Sequence, residues 1–299
     1  ILMKYLFIMS TKAADGKNLL DENKIKAAMA GEDYEIIYTT YAGQPFDIAK
    51  DQAAKYGADI AIYACGGDGT INEVASALVG TDSYMGVLPC GTGNDFCRTI
   101  HDGKTVDQVL SEIKNAQKTK VDIIKMNDRY SINIGSIGFD AAAVYRVVNN
   151  VNNVRKYKGM AYFVAALQSL KNDRVFPLSY EFDLVDGRKI SGQGEYLLLT
   201  LANGSYYGGG FKAAPLADIR DGIIDLTLVE TLSYLKVALL MMRYKKGRHL
   251  DMKCVSTYEV KSGKIKSLGQ DTYLNYDGDV IKAREIDFEI LPQAINFLM

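Results

Sequence analysis

Hydrophobic and polar positions alternate with two different periods along the first 125 residues. Short apolar runs, such as Ile60–Cys65, are separated by segments of about ten residues with helical spacing, such as Phe46–Tyr56. Strands that alternate with helices in this way predict βαβ units around a parallel sheet. The predicted strands are Lys4–Met9, Tyr34–Thr40, Ile60–Cys65 and Tyr84–Pro89, and the predicted helices are Asp21–Ala30, Phe46–Tyr56, Ile71–Val79 and Val106–Asn115.

The pattern changes after about Val121, where strand-like segments follow one another with turn signals between them. Asp186-Gly187 and Asp277-Gly278 are two of these signals. Helical insertions around residues 141–171 and 232–246 interrupt the strands. We therefore predict an N-terminal α/β nucleotide-binding domain with a parallel sheet, followed by a C-terminal antiparallel β-sandwich domain with helical insertions.

Composition narrows the classes of function. The length of 299 residues suggests two domains or one large one, and a net charge of −1 excludes a general nucleic-acid binder. Only two histidines are present, which argues against a His-rich zinc site. The four cysteines form no C-x-x-C pair, which predicts a reducing, cytoplasmic setting. The longest apolar runs fall far short of the ~20 residues that cross a bilayer.

The near-zero net charge conceals an uneven distribution. Residues 1–125 carry 13 basic and 17 acidic side chains, whereas residues 126–299 carry 22 and 19. Two helix-like stretches, Ala143–Arg174 and Leu232–Lys253, each contain six basic residues and one acidic residue. The simpler interpretation of each stretch is a solvated helix face. The more specific interpretation is a surface that binds anionic lipid head groups.

The segment GGDGTIN at residues 66–72 follows an apolar strand and opens a helix. Its glycines lack the Cβ atoms that would keep the backbone away from a bulky anion, and a helix N-terminus offers N–H groups to phosphate. Asp68 would repel phosphate directly, so its position suits the binding of Mg²⁺. A tight turn capped by Asp68 is the alternative, and three glycines favour the phosphate loop.

A second glycine loop, PCGTGNDF at residues 89–96, also follows a predicted strand and also contains a carboxylate, Asp95. Both loops lie at the carboxyl ends of predicted parallel strands, where open α/β sheets bind ligands. Asp68 and Asp95 are therefore expected to converge on one site. Neither loop has the spacing of a dinucleotide fingerprint or of a P-loop.

The pairing of GGDGTINEV with PCGTGNDF resembles the bacterial diacylglycerol kinase or lipid kinase family, whose catalytic domain is shared with sphingosine and ceramide kinases. The resemblance implies an ATP-binding domain over residues 1–125 and a lipid-substrate domain over residues 126–290. It also implies that the tail 291–299 packs back on the first domain.

In this family the first glycine loop binds the ATP phosphates, and a threonine of the second loop lies at the nucleotide. A further threonine matches Thr39, with Thr40 as a neighbouring candidate. The family loop after the first strand is replaced here by the different segment Met9–Ala13. The nucleotide-binding residues implied by the resemblance are Thr39, Gly66, Gly67, Asp68, Gly69, Thr70, Ile71, Asn72 and Thr92.

Two segments of the second domain also match the family. One implies a structural Mg²⁺, with ligands from Asp218, Asp221 and the carbonyl of Ile223, although a surface Asp-Gly turn explains the same residues. The other, Asp277-Gly278-Asp279, matches a family Asp-Gly-Glu in which the glutamate is the proton acceptor. Asp279 is one methylene shorter than that glutamate. The implied catalytic residues are Asp68, Asp95, Asp277 and Asp279.

These observations predict an ATP- and Mg²⁺-dependent lipid kinase, with diacylglycerol as the expected acceptor and phosphatidic acid as the product. A cytoplasmic, peripherally membrane-associated protein is expected, with anionic phospholipid and a homodimer as candidate partners. One alternative is a soluble-substrate kinase of the NAD kinase or phosphofructokinase group, which shares the GGDGT loop. Another is a catalytically weak relative that binds lipid or nucleotide.

Overall fold

The computed structural model describes residues 3–11 and 20–299, except for the side chains of residues 158, 159, 162 and 163. Lys12 and Ala13 of the divergent first loop, and the Lys158 side chain of the first basic stretch, lie outside the described residues. The chain divides into two compact units. The first comprises residues up to Ile123 with Tyr206–Gly210 and Pro292–Met299, and the second comprises Ile124–Ser205 and Phe211–Leu291. The functional assignment of residues 1–125, 126–290 and 291–299 stays a prediction.

The first unit is an α/β unit with a parallel sheet, as predicted. Its strands are β1 Lys4–Ser10, β2 Asp33–Thr39, β3 Ile60–Gly66 and β4 Tyr84–Pro89. Its helices are α1 Glu22–Ala28, α2 Gln44–Tyr56, α3 Asp68–Leu78, α4 Asp95–His101 and α5 Val106–Glu112. The strand order is β4-β3-β1-β2, and β3 is buried along its whole length because helices cover both faces of such a sheet.

Helix α4 is absent from the sequence prediction. The glycine loop before it obscures the start of its pattern, and the helix is only seven residues long. Its N-cap residue Asn94 has a left-handed backbone with φ 52°, which asparagine tolerates better than most residues. Helix α3 begins at Asp68, three residues before the predicted start, so that the glycine loop itself forms the first helical turn.

The second unit is built on antiparallel strands, again as predicted. Its helices are α6 Phe139–Val148, α7 Ala161–Asn172 and α8 Tyr234–Lys245, and 3-10 turns span Val151–Met160. Its strands are β6 Arg129–Ser131, β7 Ile134–Gly138, β8 Phe176–Leu184, β9 Lys189–Ala202, β10 Ile224–Glu230, β11 Val255–Ser267, β12 Thr272–Tyr276 and β13 Asp279–Ala283. Strands β8, β9, β10 and β11 pair in a closed circuit, which matches a β-sandwich-like fold.

Two strands contribute to both units. Strand β5, Lys118–Met126, crosses the boundary at Ile123. Strand β14, Glu285–Leu298, pairs through its first residues with β11 and through Asn296 and Phe297 with β4. No helix in the described part of the chain is long and apolar enough to cross a membrane.

The second unit contains a like-charge pair, which makes its stability depend on pH. Asp225 and Glu259 lie directly opposite each other on β10 and β11, and both line a cavity of about 300 Å³. Burial, together with the nearby Asp221 and Glu259 carboxylates, raises the pKa of Asp225 to about 6. The folded state therefore binds this proton more tightly than the unfolded chain does. The resulting stabilisation is present below pH ~4 and is lost as the pH rises through about 6.

Replacing Asp225 by Asn removes the charge that costs stability at high pH. We expect the free energy of unfolding to rise by about 1–2 kcal/mol at pH 8, a value reduced for the partial exposure of Asp225, and to change little at pH 4. Denaturant unfolding of both proteins at the two pH values, with a chelator present, measures this difference. An equal effect at both pH values would show that the carboxylate charge is not the cause.

Candidate active site

The first glycine loop joins a buried strand to a helix N-terminus. Strand β3 ends at Gly66, Gly67 is the N-cap residue of α3, and the Ile71 N–H donates to the Gly67 carbonyl at 3.1 Å. A Cβ atom on Gly66 would lie 2.5 Å from the Thr70 hydroxyl oxygen, so this position requires glycine. The N-cap residue Gly67 has no side chain that could cap the first turn of α3. The N–H groups of this turn are therefore suited to an anion.

The second glycine loop contacts the first backbone to backbone at Gly67 and Gly91. Gly66 and Pro89 are paired at the ends of β3 and β4, which brings the two loops side by side. A Cβ atom on Gly91 would lie 2.5 Å from the Gly67 Cα atom. The Asn94 side chain accepts a hydrogen bond from the Gly91 N–H at 2.6 Å, which holds the second loop in its tight turn. The two loops form one glycine-lined surface.

Asp68 and Asp95 converge beside Gly93, as the sequence predicted. A Cβ atom on Gly93 would lie 3.0 Å from Asp68 Oδ2 and 3.3 Å from Asp95 Oδ2. The other Asp68 oxygen, Oδ1, accepts a hydrogen bond from the Phe96 N–H at 3.1 Å. Asp68 therefore links the start of α3 to the first turn of α4.

Asp95 is buried, with 4% of its surface exposed, and its two oxygens receive the N–H groups of Gly209 and Gly210, each at 2.7 Å. Burial raises the pKa of Asp95, and the two amides and Arg98 oppose that rise. These contacts attach the segment Tyr206–Gly210 to the first unit. The sequence showed the glycine run at residues 208–210 but not its partner.

The other predicted nucleotide residues differ in exposure. Gly69 and Thr92 are exposed, and Asn72 and Thr70 are half-buried. The Ile71 side chain is fully buried, so its backbone is the part of it that can serve the loop. Thr39 is 2% exposed, and its hydroxyl donates to the Met9 carbonyl at 3.4 Å, whereas Thr40 is exposed.

Asp277 is an internal anchor of the second unit. It accepts hydrogen bonds from the Ser131 hydroxyl at 2.8 Å and from the backbone N–H groups of Asn133 at 3.1 Å and Ile134 at 2.8 Å. Burial raises the pKa of Asp277 to about 6, although these donors favour the ionised form. Its backbone is left-handed, with φ 49°, so it closes the turn between β12 and β13.

Asp279 lies two residues further on, in a very different environment. Its side chain is 65% exposed and forms an ion pair with Arg129, with Arg129 Nη1 2.7 Å from Asp279 Oδ2. The Arg129 guanidinium also lies over the Tyr276 ring, 5.7 Å from its centroid. Arg129 is absent from the site residues that the sequence predicts, because it precedes Asp279 by 150 positions and no local pattern joins the two residues.

The residues predicted for the structural Mg²⁺ do not fit a cation as they are arranged. The Asp218 carboxylate is bound by the guanidinium of Arg220, with Nε 3.1 Å from Oδ1, and Asp221 Oδ1 accepts the Ile223 N–H at 3.0 Å. The described residues contain no group of three or more histidine, cysteine, aspartate or glutamate side chains that could hold a metal ion. This site stays a prediction, and no step of the reaction is assigned to it.

Comparison with known proteins assigns both halves of the chain. Residues 4–126 match the family described as diacylglycerol kinase catalytic domain, and residues 133–299 match the YegS C-terminal NAD kinase beta sandwich-like domain. The chain therefore belongs to the diacylglycerol kinase family, as the glycine loops predicted. It is a lipid kinase with ATP as co-substrate.

Individual relatives agree with this assignment. A diacylglycerol kinase of Staphylococcus aureus strain bovine RF122 is 31% identical over 265 residues, which cover 88% of this chain and 81% of the relative. One from Staphylococcus epidermidis strain ATCC 12228 is 30% identical and covers 94% and 86%.

Solved structures share the fold. One Bacillus anthracis strain Sterne protein assigned as a diacylglycerol kinase has a TM-score of 0.75 at 23% identity, covering 99% of this chain and 94% of that one. A second has a TM-score of 0.69 at 20% identity, covering 99% and 96%.

Proposed function

We propose that this protein transfers the γ-phosphoryl group of Mg²⁺-bound ATP to the free hydroxyl of diacylglycerol, giving phosphatidic acid and ADP. The observation that carries this proposal is the close approach of the Gly67 and Gly91 backbones, which brings two glycine loops together at the N-terminus of α3, where the N-cap residue has no side chain. The names of the staphylococcal relatives support diacylglycerol as the acceptor.

In this proposal the ATP phosphates bind along residues 66–72, on the N–H groups of the first helical turn. Asp68 provides a carboxylate for the Mg²⁺ that arrives with ATP, which suits the preference of this cation for oxygen ligands. When bound, Mg²⁺ neutralises negative charge on the phosphates. Asp95 acts as a positioning residue, because both of its oxygens are bound by backbone amides.

The acceptor hydroxyl gives its proton to the Asp279 carboxylate as its oxygen forms the new P–O bond. The bond between the γ-phosphorus and the bridging oxygen breaks, and that oxygen leaves with ADP. Arg129 orients the Asp279 carboxylate through the ion pair between the two side chains. Asp277 supports the same turn from its interior through its bonds to residues 131–134.

Diacylglycerol resides in membranes, so the enzyme acts at a membrane surface as a peripheral protein. The two basic helical stretches supply charge suited to anionic phospholipid. The candidate homodimer stays a prediction.

We expect Asp68→Asn to lower the rate of lipid phosphorylation at least about 100-fold, because it removes the charge that holds the cation. The amide oxygen of Asn can still accept from the Phe96 N–H, so the melting temperature is expected to stay unchanged. Labelled ATP with diacylglycerol in mixed micelles, over a range of Mg²⁺ concentrations, measures the rate. A variant that keeps full activity would remove Asp68 from the reaction.

The same assay with a panel of acceptors tests the function itself. The panel contains diacylglycerol, phosphatidylglycerol, a sphingoid base, an undecaprenol-like lipid and NAD. Label in phosphatidic acid supports the proposal, and label in another lipid changes the acceptor. Label in NAD alone, or in no product at all, would contradict it.

A further inference from the structure

Helix α8 has two apolar faces, and within the part of the chain that the structure describes only one of them is packed. Val237, Leu240 and Tyr244 are buried with at most 1% exposure and attach the helix to the second unit. Other large apolar side chains point to solvent. They are Tyr234 at 55%, Leu235 at 87%, Leu239 at 48% and Met242 at 64% exposure.

The exposed side chains follow helical spacing. Leu235, Leu239 and Met242 are at positions i, i+4 and i+7, and exposed Ala238 continues the row between them. Single exposed leucines are ordinary on protein surfaces, whereas a continuous apolar row marks an interaction surface. We name the row Tyr234, Leu235, Ala238, Leu239 and Met242 the α8 stripe.

Positive charge borders the α8 stripe at both ends. Lys236 lies near its start, and Lys245, Lys246 and Arg248 follow its end, all exposed. The Arg174 guanidinium, just after α7, lies 4.4 Å from the centroid of the Tyr234 ring. No acidic residue occurs between residues 231 and 250. The first one, Asp251, is bound by Arg243 at 2.5 Å.

The apolar α8 stripe and the basic residues beside it favour an anionic membrane over a second copy of the chain as the binding partner. A second copy of the chain packed on the stripe about a two-fold axis would bring Lys236 of one copy toward the lysines of the other, which opposes association. An anionic bilayer accepts apolar side chains at its acyl boundary and attracts the lysines with its head groups.

We propose that the α8 stripe inserts into the interface of anionic membranes and holds the enzyme on the surface that contains its lipid acceptor. The role of membrane binding in lipid phosphorylation rests on the proposed function. The membrane binding itself is inferred from the α8 stripe and the basic residues around it. Membrane binding then depends on one face of α8 and not only on the basic residues of the two helical stretches.

The absence of tryptophan from the sequence makes a direct test available. The variants Leu239→Trp and Leu268→Trp of the 299-residue chain each carry a single tryptophan, at positions that are both 48% exposed. Leu268 lies between β11 and β12, away from the stripe in sequence and element. The two variants are compared on vesicles of phosphatidylcholine, with and without about 30% phosphatidylglycerol.

We expect the Leu239→Trp emission to shift to the blue on the anionic vesicles and to be quenched by lipids brominated on their acyl chains. Leu268→Trp is expected to do neither. Equal responses of the two variants, or no response of Leu239→Trp, would overturn the proposal. A concentration-dependent shift without vesicles would assign the stripe to self-association and would also overturn it.

Kinase assays separate this inference from the proposed function. The double variant Leu235→Ser and Leu239→Ser is expected to lose at least about tenfold in rate on vesicle-embedded diacylglycerol. It should keep the wild-type rate on a short-chain diacylglycerol below its micelle concentration. Unchanged activity on vesicles would overturn the role of the stripe. If the wild-type protein phosphorylates neither acceptor, the proposed function fails, and the tryptophan experiment still decides the membrane contact.

Discussion

Replacing Asp279 by Asn is expected to lower kcat for lipid phosphorylation about 100- to 10,000-fold, the range for loss of a positioned proton acceptor. Asn has nearly the shape of Asp but cannot take up the proton of the acceptor hydroxyl. The melting temperature should change little, because an exposed ion pair such as Asp279–Arg129 contributes at most about 1 kcal/mol. Initial rates with labelled ATP and thermal unfolding of the same samples measure both quantities.

Asp287 provides a matched control for this substitution. Its side chain is 63% exposed and forms an ion pair with Lys264 at 2.8 Å, compared with 65% and 2.7 Å for Asp279 and Arg129. We expect Asp287→Asn to retain the wild-type rate. Equal activity of the two variants would exclude Asp279 as the proton acceptor. The variant Asp279→Glu tests whether the shorter Asp side chain keeps the carboxylate too far from the acceptor hydroxyl, since Glu restores the longer side chain of the family pattern.

Replacing Gly91 by Ala is expected to destabilise the first unit by about 2–3 kcal/mol, because the added methyl group overlaps the Gly67 backbone. Neither partner is a flexible side chain, so the two glycine loops must separate. A displacement of about 1 Å at a reacting group can lower the rate about 100-fold. We expect a melting temperature lower by about 5 °C and weaker ATP binding, measured by calorimetry and by KM for ATP.

Gly69→Ala is the control for this clash. A Cβ atom on Gly69 meets nothing within 4 Å, so the melting temperature should equal that of the wild type. Its methyl group would nevertheless enter the open space in front of the α3 N-terminus, and we expect KM for ATP to rise about tenfold. A Gly91→Ala variant with wild-type stability would refute the tight loop contact. A Gly69→Ala variant with an unchanged KM for ATP would show that the ATP phosphates do not bind at the N-terminus of α3.

Local signals in the sequence were sufficient for much of the fold. The alternation of apolar strands with helices predicted the parallel sheet of the first unit, and β4 has the predicted bounds Tyr84–Pro89. The spacing of Gly66, Gly67 and Gly91 predicted two loops at the carboxyl ends of neighbouring strands. Strand β13 is absent from the sequence prediction, since its five residues follow the turn signal Asp277-Gly278 and have little pattern of their own.

The sequence by itself determined the fold class, the two glycine loops and the family, because each depends on residues close together along the chain. Only the tertiary structure decided which groups these residues meet. It joined Asp95 to Gly209 and Gly210, buried Asp277 while leaving Asp279 exposed beside Arg129, and left one apolar face of α8 uncovered. These features depend on burial and on contacts between segments that are distant along the chain. Hydrophobic periodicity and motif spacing are local properties of the sequence, so they predict neither burial nor such contacts.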